Sequence, residues 1–481
     1  MVSLAAQPRL RKLRRTEAED VVNGREYAKR LRRQFELLHP RPEWATSAVQ
    51  KPARKKRRTS ETGASDDDEA SDEDVDVDMD DEVPSVAPLS KLLQDANTLV
   101  RSERPGRGKK RKLRPETLDI QRTKDISGIQ PSAITSLSFH PSLPLLLSSG
   151  PSSTLYLHHL ASSPPAPTPN PLLTSLHVRG TQLTTTAFHP KDERVFLSAR
   201  RRYFHVWDLA SGRVEKVARV YGQQHEQKSM ERFKLSPDGQ YMALLGSSRK
   251  GGGVINVISA STLQWVTQVR VESRGGIAEF EWWRDSRGLA IASKGGEITE
   301  WSLQRREIVA RWQDEGAVGT TTIALGGQHE LVKSPIGTDR WIAIGSSSGI
   351  VNIYDRRVLL TPPSKDQQQS QQQQQPVPAA PKPAKTLEHL TTPTSHLVFS
   401  PDGQILAMAS KWKRDALRLV HLPSCTVYQN WPTSTTPLGR ITGVAFCAGE
   451  IVEGQKEGGE GLYAALAVAN EQGKVRLWEI R

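Results

Sequence analysis

From about residue 127 onward, apolar and polar positions recur in a fixed order: an apolar strand, a turn, a second apolar strand ending in small residues, then a third, alternating strand. The first two strands read as SLSFHPSLPLLLSSG (136–150), TTAFHPKDERVFLSAR (185–200), RFKLSPDGQYMALLGS (232–247) and EFEWWRDSRGLAIASK (279–294). TIALGG with WIAIGS (322–346), HLVFSPDGQILAMAS (396–410) and GVAFCAGE with YAALAVAN (443–470) continue the series. The third strands are TLYLHHL, YFHVWDL, GVINVIS, EITEWSL, IVNIYDR, LRLVHLP and KVRLWEI, which makes seven units. The turns HPK and SPDG carry Pro and Gly where a tight hairpin needs a fixed or positive φ.

Short strands repeating at a constant period predict a β-propeller. With the Gln-rich insert set aside, the period is about 47 residues, near the 40–45 of WD repeats. Burial is then shared between neighbouring blades, so no blade is stable alone. The chain reaches Arg481 directly after the seventh third-strand, which leaves that blade short of an outer strand and its edge unpaired. ETLDIQRTKD (Glu116 to Asp125) has a strand-like core and is expected to close the ring, with Leu118 and Ile120 pairing into blade seven.

The pattern before residue 116 is different. Residues 1–58 hold 17 basic and 6 acidic side chains, and Ser65 to Glu82 holds 12 acidic residues and no basic one. A second basic run follows from Arg104 to Arg114. Blocks of like charge repel and bury little apolar area, so most of 1–115 is expected to be disordered. Two stretches look capable of order. After Asn23, a candidate N-cap, Tyr27, Leu31, Phe35 and Leu38 fall at helical spacing, with Arg25, Lys29, Arg30, Arg32 and Arg33 on the remaining faces. PLSKLLQDANTLV has a similar apolar stripe. Short helices are therefore expected near 23–39 and 88–100, either packed on the chain's own C-terminal domain or docked on a partner. The whole reads as an all-β, seven-bladed WD-repeat β-propeller over 116–481, with 116–125 as closing strand and a Gln/Pro-rich loop insert at 361–386, preceded by a largely disordered charged N-terminal tail with short helices.

Composition narrows the function classes. Lys and Arg number 66 against 53 Asp and Glu, a net charge of +13, which favours polyanionic partners. Two cysteines exclude a disulfide scaffold and fit a reducing compartment. No stretch approaches 18 apolar residues, and the charged N-terminus lacks the apolar core of a secretory signal, so neither a membrane span nor secretion is expected. No GxSxG elbow, Walker A loop or HExxH helix occurs. Cys425 and Cys447 have no CxxC spacing, and adjacent strand residues His158 and His159 point to opposite faces. His140 and His189 repeat as a structural HP turn, and Trp207-Asp208, the one literal WD dipeptide, reads as architectural. No catalytic residue, metal site, cofactor or small-molecule substrate is expected.

YFHVWDLASGRVEKVARVYGQQHEQKSMERFKLSPDG, GSSSGIVNIYD, LAMASKWKRDALRLVHLPSCTVYQNWPTSTTPLG and RKLRRTEAEDVVNGREYAKRLRRQFELLHPRPEWA together resemble the U3 small nucleolar RNA-associated protein 18 family. NWPTSTTPLG and YAKRLRRQFELLHPRPEWA are not generic WD sequence. The resemblance implies a non-catalytic scaffold of the small-subunit processome, in the nucleolus of the nucleus. It implies as partners pre-ribosomal RNA, the U3 small nucleolar RNA particle and other processome proteins, and a role in pre-18S rRNA processing. Family members can carry an N-terminal Leu-Phe-x-x-Asp motif that engages an exosome helicase; residues 1–126 contain no Leu-Phe pair.

The candidate partner- and RNA-binding side chains are Arg25, Tyr27, Arg30, Leu31, Arg32, Arg33, Phe35, Leu38 and Trp44. Those expected to direct nuclear import are Lys55, Lys56, Arg57 and Arg58 in one cluster, and Lys109, Lys110, Arg111 and Lys112 in the other. One alternative comes from IVNIYDRR (Ile350 to Arg357), which approximates the W-D-x-R element of cullin-type ubiquitin-ligase substrate receptors with Tyr354 in place of tryptophan.

Overall fold

The computed structural model describes residues 2–4, 13–14, 20–38, 112–126, 128, 130–161, 168–221, 229–246, 253–272, 275–328, 334–360, 377–453 and 461–481. The expected helix near 88–100, Trp44, the 51–58 cluster and residues 109–111 lie outside them.

In the C-terminal unit the described strands form seven four-stranded antiparallel sheets, an all-β propeller. Their inner strands begin at Ser136, Leu183, Phe233, Ile277, Thr320, His396 and Ile441. Inner strands of successive blades touch all the way round, and that of the seventh touches that of the first. Between each pair of neighbouring blades lies one apolar cluster. The seam of blades two and three, for example, packs Phe196, Phe204, Phe233, Met242 and Ile258. A core split among seams makes every blade depend on its neighbours.

The seventh blade takes its outer strand from the other end of the sequence. Ile120–Arg122 pairs antiparallel with the last strand, Ile120 opposite Ile480 and Arg122 opposite Trp478. Leu118 lies just ahead of the ladder. It is buried in the seam of blades six and seven beside Trp431 and Trp478, and the Asn430 side chain brackets it, accepting from its N–H at 3.2 Å and donating to its carbonyl at 2.7 Å. Its large apolar side chain thus anchors the strand by packing rather than by strand pairing.

Blade five departs from the expected insert bounds. Lys385–Leu387 is that blade's outer strand, and Val377 is buried in the seam with blade four. Ala379 accepts a hydrogen bond from Gln313 N–H at 2.7 Å. Residues 377–386 therefore belong to the propeller, because a chain returning from the insert must still supply the fourth strand.

The repeated turns share one device. His140 Nδ1 accepts from the N–H groups of Ser142 (3.2 Å) and Leu143 (3.0 Å), and His189 Nδ1 from Lys191 (3.3 Å) and Asp192 (2.8 Å). With Nδ1 an acceptor, His189 Nε2 carries the proton and donates to Gly239 O in blade three at 2.7 Å. Ser236 and Ser400 serve the SPDG turns, each hydroxyl accepting from the N–H five residues on. Asp208 of the WD dipeptide likewise accepts from Ala210 N–H and the Ser211 hydroxyl, while Trp207 is buried against blade one.

The N-terminal unit holds helix α1 (Gly24–Leu38) and a two-stranded ribbon, Val2–Ser3 paired with Val21–Val22. Tyr27 packs on a small cluster of Leu4, Leu13 and Val22.

Candidate nucleic-acid and partner interface

On α1 the sequence-based division of faces is partly inverted. Arg30, expected among the solvent-facing cations, is only 8% exposed. Its guanidinium donates to Leu13 O at 3.2 Å and pairs with Glu26, one turn earlier, at 2.7 Å. Leu4, Leu13 and Val22 pack against Tyr27, which is half-buried, and Leu13 also supplies the carbonyl that holds Arg30. Phe35 and Leu38 stay 62% and 69% exposed, and Leu31 is exposed with them. Arg25 and Arg33 are exposed and Arg32 half-buried. Helical spacing identifies which residues share a face; it does not say which face the rest of the chain will cover. Lys112 is exposed ahead of the closing strand, where its neighbour Leu113 donates its N–H to Gln404 Oε1 at 3.0 Å.

The propeller's charged groups divide into buried and surface sets. The buried set lies in the seam of blades four and five. Arg356 opens α2 (Arg356–Leu359), and its guanidinium pairs with Glu300 at 2.9 Å and Asp339 at 3.7 Å and donates to Ile336 O. Trp283 Nε1 donates to Glu300 Oε2 at 2.7 Å, and Arg284 N–H to Asp339 Oδ2 at 2.8 Å. Burial raises the pKa of Glu300 and pushes that of Asp339 up to about 6, each opposed by the Arg356 charge. Perturbed carboxylates often mark chemistry. Here both face an internal arginine inside a packed seam, and no catalytic activity is indicated. Burial also raises the Cys425 thiol and pushes Cys447 up to about 12, so neither is a ready nucleophile. Among the described residues no His, Cys, Asp and Glu cluster could hold a metal.

The ubiquitin-ligase alternative gains no support from this segment or from the relatives of the chain. Tyr354 is buried, donating its hydroxyl to Asp314 Oδ1 at 2.6 Å, and Asp355 caps α2 through Arg357 N–H. Arg357, at the arginine position of that element, is exposed and folds back on Asp355 at 2.9 Å, while Arg356 beside it is 1% exposed.

The surface set follows from chain direction. Antiparallel order sends each second-to-third connection, and each crossing to the next blade, out on one face, here termed the entry face. On it, the second-to-third connections present Arg200, Arg201 and Arg202 in blade two, Lys294 in blade four, Lys411, Lys413 and Arg414 in blade six, and Lys474 in blade seven, all exposed. Their acidic members among the described residues are Asp415 and Glu471. Asp415 accepts from Leu438 and Gly439 N–H, and Glu471 pairs with Arg440 at 3.5 Å. The first-to-second turns on the opposite face are mixed, carrying Asp192, Glu193, Asp238, Asp285, Asp402 and Glu450 together with exposed Lys191, Arg284 and Arg287. Reading the sequence unit by unit missed that these cations share one face. The signal was there, because connections at the same position in each repeat share a face.

A closed seven-bladed ring with one apolar cluster in each seam defines a WD-repeat β-propeller. No family model matches the chain. It is 38% identical over 483 residues to the probable U3 small nucleolar RNA-associated protein 18 of Schizosaccharomyces pombe, covering 100% of this chain and 78% of the relative. It is 36% identical to the protein of that name from Saccharomyces cerevisiae, over 100% of this chain and 77% of the relative, and 27% identical to the Arabidopsis thaliana homologue, over 100% and 73%. The chain belongs to the U3 small nucleolar RNA-associated protein 18 family.

Proposed function

We infer that this chain is a non-catalytic scaffold of the small-subunit processome. In this reading it works in the nucleolus with the U3 small nucleolar RNA particle, pre-ribosomal RNA and other processome proteins, and supports processing of pre-18S rRNA. The observation that carries it is full-chain similarity to proteins named for association with U3 RNA. A rigid ring offers faces and a rim to several neighbours at once, and the charged N-terminal segment adds a contact for polyanions. Exposed Arg25 and Arg33 on α1, with Lys55, Lys56, Arg57 and Arg58 beyond it, neutralise phosphates without reading bases. Leu31, Phe35 and Leu38 supply an apolar contact for a protein neighbour. The two clusters ending at Arg58 and Lys112 direct import into the nucleus. Capture of the tagged full chain, with and without RNase, tests the reading. It predicts a large U3-containing particle that RNase disperses; a small RNA-free complex containing a cullin adaptor contradicts it.

A further inference from the structure

The second-to-third connection of blade six, Ser410 to Ala416 (SKWKRDA), places a large aromatic among cations on a held loop. Trp412 is 62% exposed, in a fold that buries Trp207, Trp282, Trp283, Trp301, Trp312, Trp341, Trp431 and Trp478. Lys411 Nζ lies 5.2 Å from its ring centroid. Lys411, Lys413 and Arg414 are all exposed; Lys413 Nζ donates to Thr391 Oγ1 at 3.4 Å, and among the described residues no carboxylate pairs with any of the three. The only acid in the loop, Asp415, has Oδ1 taken by Leu438 N–H at 2.7 Å and Gly439 N–H at 2.8 Å.

The loop is braced on several sides. Ser410 N–H donates to Ala416 O at 3.0 Å and closes it, and Asp415 N–H donates to Gly439 O at 2.9 Å. Ser410 Oγ donates to Pro393 O at 2.7 Å, and Lys411 N–H to Ser395 Oγ at 2.9 Å. A tryptophan whose only purpose was to fill space would lie in a seam. Here the backbone is fixed so that the ring stands in solvent.

We propose that Trp412 is a base-stacking platform for single-stranded RNA on the entry face. Lys411, Lys413 and Arg414 hold the flanking phosphates. Bases of any identity present a π-face, and a basic groove with an exposed aromatic is how proteins hold single strands without reading sequence. Charge decides against an apolar or basic protein surface as occupant, because three cations without a carboxylate partner would be desolvated there without compensation. Lys474, exposed on the same face in blade seven, adds a further cation beside the Arg440–Glu471 pair. A duplex hides its base faces and meets only the cations. The inference rests on the processome reading for the source of the RNA, though not for its chemistry.

The test uses the full chain and a single-stranded oligonucleotide carrying 5-iodouridine, with crosslinked peptides mapped after irradiation. A crosslink within Ser410 to Ala416 is expected. It should be lost in Trp412→Ala, retained in Trp412→Phe, and weakened with rising salt or in the triple Lys411→Gln, Lys413→Gln, Arg414→Gln variant. Affinity at that site should fall roughly tenfold or more in Trp412→Ala, the size of one stacked base. No crosslink in this loop, equal labelling by duplex RNA, or equal labelling of Trp412→Ala overturns the proposal, as does displacement by an acidic peptide in preference to RNA. Sedimentation of the same variants separates the two readings. Loss of the crosslink with U3-particle association intact supports the stacking site, whereas a wild-type chain that crosslinks but never sediments with U3 RNA removes the processome reading alone.

Discussion

Arg356 and the Lys411–Arg414 loop are both strongly cationic, and the protein treats them in opposite ways. Arg356 is enclosed between blades with Glu300, Asp339 and a carbonyl as partners. The blade-six loop turns three cations and an aromatic ring outward and pairs none of the three with a carboxylate among the described residues. An internally matched charge is architecture, costly to desolvate and costlier to leave unmatched. Charge left open on a rigid loop destabilises nothing and remains available to an anionic partner. Removing groups from the two sites should therefore affect different observables, stability in one case and binding in the other.

The largest stability effect is expected from Arg356→Met. Two buried carboxylates lose their counter-ion, which should cost about 3–5 kcal/mol in urea denaturation of the full chain. A cost below about 1 kcal/mol would mean that the seam is wetter than it looks. Next comes Leu118→Ala, which opens a cavity against Trp431 and Trp478 where the closing segment is anchored. About 2–4 kcal/mol should be lost, and a chain lacking residues 1–126 should melt lower still or aggregate through its freed edge.

A third effect depends on pH. His158 is buried on blade one's third strand, its Nδ1 has no hydrogen-bond partner, and burial pushes its pKa down to about 4. Between 6.5 and about 4 the unfolded chain takes up a proton that the folded chain refuses, so stability falls as pH falls through that window. At pH 5 the loss from this one group is about 2 kcal/mol. His158→Leu should flatten the decline in melting temperature between pH 7 and pH 5; an unchanged slope would clear this histidine. Asp339 works the other way, since its raised pKa makes the folded state the better proton acceptor and adds stability on acidification. The smallest stability effect should come from Trp412→Ala, within about 0.5 kcal/mol of wild type, as for an exposed side chain away from packing. A melting temperature several degrees lower would make Trp412 structural after all.

The propeller was legible because its information is periodic. Seven repeats of strand, turn and small-residue strand state the blade count, and apolar residues at each repeat state the seams. The closing strand was legible by subtraction, though Leu118 packs beside the ladder instead of entering it. The burial of Arg30, the return of 377–386 into blade five and the Glu300–Asp339–Arg356 cluster were not legible. Each depends on segments far apart in sequence meeting in space. The Lys411–Arg414 loop lay in plain view within a stretch read for its family resemblance, and only its position in the repeat reveals which face it shares.

The most direct test of the whole account is to irradiate cells expressing the tagged full-length chain, purify it under denaturing conditions, and sequence the RNA bound to it. U3 small nucleolar RNA and pre-ribosomal RNA should dominate the reads, with adducts on the charged N-terminal segment and on the blade-six loop. Recovery of the protein with no enrichment of either RNA over a mock purification would contradict it.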